Sequence, residues 1–76
     1  SELMGKLANI SGKEAPEAFG KSGWYRVGQV GSNVVLSKPG TRANLSIPQH
    51  HELSVGTIRS LIRSANMTVD EFLDLL

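Results

Sequence analysis

The sequence predicts an α+β domain: a three-stranded antiparallel sheet with helices packed on one face, in the order α-β-β-β-α-α. Three observations carry that expectation. Between Trp24 and Pro48 apolar residues recur with the period of strands, interrupted by turn signals at Gly31-Ser32 and at Lys38-Pro39-Gly40-Thr41. On either side the period becomes that of helices, and each helical stretch opens on a capping residue. With 76 residues and no cysteine, the chain must hold together by packing, without disulfides or a cysteine-ligated metal.

The first helix is predicted from Ser11-Gly12-Lys13-Glu14, which has the spacing of a capping box, followed by Ala15, Ala18, Phe19 and Ser22 at helical intervals up to Gly23. Pro16 costs it one backbone bond or delays its start. Trp24 to Val30 and Asn33 to Ser37 form a hairpin around Gly31-Ser32. After the Pro39-Gly40 turn, Ala43, Leu45 and Ile47 alternate with Asn44 and Ser46, giving a third strand that Pro48 closes. Ser54 caps a second helix with Ile58, Leu61, Ile62 and Ala65 on its apolar stripe, and Asn66 suits a left-handed end. Thr68-Val69-Asp70-Glu71 is another capping box, and Val69, Phe72, Leu73 and Leu76 form the last stripe, with Met67 and Phe72 spaced as a hydrophobic staple. Strand parity sends Val34 and Leu36 to the helices and leaves Asn33 and Val35 on the open side.

Charge is nearly balanced, with 8 Lys and Arg against 7 Asp and Glu, but its placement is uneven. Lys21, Arg26, Lys38 and Arg42 lie in an acid-free run from Lys21 to His51, while Asp70, Glu71 and Asp74 crowd the end. The basic side chains lie on or beside the strands, so they could neutralise nucleic-acid phosphates next to position 33, or form only a solvated surface. No apolar run approaches the roughly 20 residues of a membrane span, and no secretory leader is visible, so a cytoplasmic location without membrane association is expected. Met4 reads as the natural start, with Ser1-Glu2-Leu3 added for expression. Residues 1–9 are then an N-terminal segment and residues 10–76 a single domain.

Asn33 could serve the turn by bonding to nearby backbone. Spacing alone favours that reading; the alternative is a ligand-contacting side chain, fixed at a strand start by a tight turn. His50 and His51 read as loop residues: without cysteines or suitably spaced carboxylates they make no metal site, and no cofactor is expected. Trp24 suits core packing, Tyr25 either packing or base stacking. Arg59 and Arg63, one turn apart, face solvent or a partner.

A wider pattern bears on Asn33. Gly23-Trp24, Gly31-Ser32, Ile47-Pro48-Gln49-His50 and Glu52-Leu53-Ser54-Val55-Gly56-Thr57-Ile58-Arg59-Ser60-Leu61-Ile62 follow one another as in the HicA (YcfA-like) toxin family, which the chain resembles from about Ile10 to Leu76. The Thr-x-x-Glu-Phe-Leu ending also fits. The resemblance implies a fold like a double-stranded RNA-binding domain and a metal-independent messenger RNA endonuclease. It also implies that the chain is the toxin half of a toxin–antitoxin pair with HicB, with RNA and HicB as partners and any oligomer forming through the antitoxin.

The family's catalytic histidine follows Gly-Ser, and Asn33 stands at that position, presented by Gly31 and Ser32. An imidazole exchanges protons near neutral pH and a carboxamide does not. The resemblance therefore implies a chain that binds as the family does and cleaves weakly or not at all. Two origins stay open for Asn33: an introduced His-to-Asn change, favoured by the leading Ser-Glu-Leu, and a natural variant. His50 occupies the family's Val-Pro-x-His position, which implies a role near RNA or as a weak second proton carrier, while Arg26, Lys38 and Arg42 are the candidate backbone contacts read from charge placement. The rival readings are a small RNA-binding module without chemistry, for which an open basic sheet face would suffice, and a protein-interaction domain.

Overall fold

The computed structural model describes residues 5–76, so the reading of Ser1-Glu2-Leu3 and Met4 falls outside the described residues. The elements are α1 (Glu14–Gly20), β1 (Tyr25–Val30), β2 (Asn33–Ser37), β3 (Leu45–Pro48), α2 (Val55–Ser64) and α3 (Val69–Leu73), which is the expected order. The strands form one antiparallel sheet in the order β1-β2-β3.

Local chemistry sets most of the boundaries. Ser11 N–H donates to Glu14 Oε1 at 3.0 Å and Glu14 N–H to Ser11 Oγ at 3.0 Å, closing the first capping box. The regular helix begins only at Glu14, which leaves Pro16 in the first turn, where no intrahelical N–H bond is lost. The helix stops at Gly20, three residues earlier than expected. Gly23 N–H bonds back to the Gly20 carbonyl and Trp24 N–H to the Phe19 carbonyl. Gly23 takes φ +98° to allow this closure. Ser54 and Thr68 cap α2 and α3 through their hydroxyls, the latter with Glu71 in a complete capping box. Asn66 adopts φ +60° at the end of α2.

The core lies between the sheet and the helices. Val34 and Leu36 from β2, Leu45 and Ile47 from β3, and Ile58, Leu61 and Ile62 from α2 are buried there. Phe19 and Phe72 are fully buried with ring centroids 4.9 Å apart, so α1 and α3 meet through an aromatic pair. Leu7 is also fully buried, so the core takes in part of the segment that the sequence set apart from the domain.

Three expected details change. Ala43 is exposed and precedes β3, because pairing with β2 begins only at Leu36 and Leu45. Leu76 is exposed while Leu75 packs against the core. After Leu73 the chain tightens, with Leu75 N–H bonding to the Phe72 carbonyl, and a three-residue turn carries Leu75 onto the face of Phe72. Strand β1 starts at Tyr25, not Trp24, and carries a bulge between Arg26 and Gly28.

Candidate functional site

Asn33 opens β2 directly after the Gly31-Ser32 turn, with Val30 and Pro48 as its cross-strand partners. Gly31 has φ +59°, the positive value that a two-residue hairpin with glycine first requires. Parity holds: Val34 and Leu36 are buried toward the helices, and Asn33 and Val35 lie half-buried on the open face. Asn33 Nδ2 donates to Ser46 Oγ at 3.1 Å, a bond to a side chain on β3 instead of the local backbone bond its turn position suggested. The side chain is therefore displayed and oriented.

The open face is not basic. Arg26 is the one charged residue in the three strands. Counting back from Val30 by twos would put Arg26 on the open face with Asn33. The bulge inserts one residue, and Arg26 comes to lie opposite Leu36, on the helix side. There Arg26 Nη2 donates to Gln29 Oε1 at 2.9 Å. Lys38 and Arg42 sit at the far end of the sheet. Five residues of strand separate Lys38 from Asn33, about 17 Å at the rise of a β-strand. The Lys38 stem lies over Gly23. Lys21 Nζ donates to the Leu75 carbonyl at 2.9 Å, clamping the C-terminal turn. The basic run is thus dispersed around the molecule, and these four cations do not gather at position 33.

A different set of residues converges beside the Gly31-Ser32 turn. Gln49 N–H donates to the Ser32 carbonyl at 3.0 Å, and Gly12 N–H to the His50 carbonyl at 2.8 Å. Gln49 Nε2 donates to the carbonyls of Gly12 at 2.7 Å and Ile47 at 3.2 Å. Three chain segments remote in sequence are stitched together by these bonds. Gly12 is buried in the seam, and a Cβ there would lie 2.7 Å from Gln49 Cα and 2.9 Å from His50 N, closer still to the Pro48 carbonyl oxygen.

Two adjoining clefts flank this seam. One, of about 350 Å³, is lined by Lys13, Pro16, Glu17, Arg26, Val34 and Gln49. The other, of about 270 Å³, is lined by Ser11, Lys13, Gln49, His50 and His51. The seam ties the His50 backbone beside the turn, and His51 lines the same cleft. Lys13 was absent from the basic run read from the sequence, because only the pairing of Gly12 with His50 carries it there. Trp24 is buried and Tyr25 is 51% exposed on the open face opposite Ser37. Arg59 and Arg63 are exposed beside a groove between α2 and α3.

A small three-stranded α+β domain, with one sheet face open and a side chain presented at a glycine-first hairpin, is the class that fold and site define. A family model described as the HicA toxin of bacterial toxin–antitoxin systems matches residues 12–67. The chain belongs to that family and is a toxin of the HicA type. No curated protein and no solved structure matches the chain significantly.

Proposed function

We propose that this chain binds RNA across the Asn33 end of its open sheet face, and that Asn33 holds the position of the proton-transferring histidine of a metal-independent endoribonuclease. The observation that carries the reading is the placement of Asn33, fixed after a glycine-first turn and oriented by Ser46 Oγ. In the reaction class proposed, the 2′-hydroxyl of one nucleotide attacks its own 3′-phosphorus. The P–O bond to the next nucleotide breaks, and the products are a 2′,3′-cyclic phosphate and a 5′-hydroxyl. One proton must leave the 2′-oxygen and one must reach the departing 5′-oxygen, and a group that titrates near neutral pH is suited to either transfer.

The Asn33 amide can bond to a phosphate oxygen or a hydroxyl, but it cannot take up a proton at that pH. Binding is then retained while general acid–base help, typically about 10²- to 10⁴-fold, is lost. Ser46 would hold an imidazole at position 33 by one ring nitrogen, leaving the other for the substrate. His50, at the turn end of the sheet, is an RNA contact in this reading. Arg26 contacts backbone from the helix side, and Lys38, about 17 Å away along the strand, and Arg42 in the loop beyond it are outlying contacts. HicB is the antitoxin partner, higher assemblies form through it, and the RNA substrate implies a cytoplasmic site of action. Among the described residues no helix is long and apolar enough to cross a membrane.

The test is Asn33→His, with cleavage of a fluorescent single-stranded RNA followed in excess chelator. The expected result is cleavage at least about 100-fold faster than with the chain carrying Asn33. Equal, slow rates in both chains, with RNA binding intact, would favour a binding module without chemistry. Apart from Tyr25, the strand residues on the open face carry no titratable side chain, so that face supplies neither a replacement proton carrier nor the cations that a binding module would need there.

A further inference from the structure

We propose that Lys13, with Arg26 across the cleft and His50 beside it, forms a phosphodiester-binding subsite on the helix side of the Gly31-Ser32 turn. It would hold the RNA backbone where a strand leaves Asn33. The inference deepens the RNA reading above and rests on it.

Lys13 stands at the start of α1, where it makes no side-chain capping bond, and it is exposed. A lysine contributes nothing to the cap there, and its charge opposes the helix dipole. Its position is instead the junction of the two clefts, since Lys13 and Gln49 line both. In the larger cleft Lys13 and Arg26 are set against Glu17, leaving one net positive charge, which matches the single negative charge of a phosphodiester. In the smaller cleft His50 and His51 add ring nitrogens able to donate to phosphate oxygens.

The floor is rigid. Both protons of the Gln49 amide are engaged by backbone carbonyls, and its own N–H holds the Ser32 carbonyl of the turn that presents Asn33. A strand lying over Asn33 and crossing the end of the sheet at that turn therefore passes from the open face into the clefts. Arg26 reaches the larger of them because the bulge turns it to this side.

The experiment measures anisotropy of a fluorescein-labelled single-stranded RNA against salt for the chain as it stands and for Lys13→Gln, Lys13→Arg and Arg59→Gln. Arg59 lies on α2, away from the clefts. One lost phosphate contact on a single strand lowers the slope of log affinity against log salt by about 0.7, or about 5-fold in affinity near 0.1 M salt. Lys13→Gln should show that loss, Lys13→Arg should restore it, and Arg59→Gln should leave the slope unchanged. An equal loss in Lys13→Gln and Arg59→Gln, or no loss in Lys13→Gln while the parent chain binds, overturns the subsite and leaves the RNA reading standing. No salt-dependent binding by the parent chain overturns both.

Discussion

Replacing Gly12 by alanine tests the seam on which both clefts depend. A glycine-to-alanine change at a position with ordinary backbone angles stabilises a protein by about 0.4 to 1 kcal/mol, because the unfolded chain has less freedom to lose. At Gly12 the sign should reverse. The added methyl would meet the backbone of Pro48, Gln49 and His50 at separations that real Cβ atoms do not tolerate, and backbone cannot rotate aside. Separating the segments strains or breaks the Gly12 N–H bond to His50 and the Gln49 bond to the Gly12 carbonyl. Each such bond contributes about 1 kcal/mol, and overpacking costs typically about 1 to 3 kcal/mol more. The expected net loss is about 3 kcal/mol, a large share of the roughly 4 to 11 kcal/mol available to a chain of this length. Urea unfolding followed by the fluorescence of the buried Trp24 reads it directly. With a denaturant slope of about 1 to 1.5 kcal/mol/M, the midpoint should fall by about 2 to 3 M. Gly20→Ala is the control, since nothing lies within 4 Å of a Cβ there, and it should leave the midpoint unchanged or raise it. A Gly12→Ala midpoint at or above that of the parent chain would show that the seam does not hold these segments together.

Two further outcomes are expected. Phe72→Ala removes a fully buried ring packed 4.9 Å from Phe19 and should cost about 3 to 5 kcal/mol, lowering the melting temperature by well over 10 °C in a circular-dichroism melt. A shift of only a few degrees would mean that α3 adds little to the core. In an Asn33→His background, Ser46→Ala should slow RNA cleavage by about 10-fold, the scale of one lost orienting hydrogen bond, with RNA affinity nearly unchanged. Unaltered cleavage would remove Ser46 from the site.

Much of this molecule could be read locally. Both Ser-or-Thr to Glu capping boxes, the Ser54 cap, the left-handed Asn66 and the glycine-first hairpin involve groups within a few residues of one another, so spacing alone specifies them. The display of Asn33 also followed from spacing, because it stands one residue from Val34 on an unbroken strand. The tail misled the helical count at Leu76, where a tighter turn replaced the helix within its last three residues.

The sequence alone determined the order of elements, their caps and turns, the face of Asn33 and the HicA-like run of motifs, since each depends on the chain's periodicity or on neighbours a turn away. Tertiary structure decided where the charges went. One residue bulged out of β1 moved Arg26 to the opposite face of the sheet, and a seam joining Gly12 to His50 placed Lys13 beside the histidines. A bulge depends on how one strand fits its neighbour, and a seam on two segments 38 residues apart finding each other, so neither leaves a mark in the local pattern.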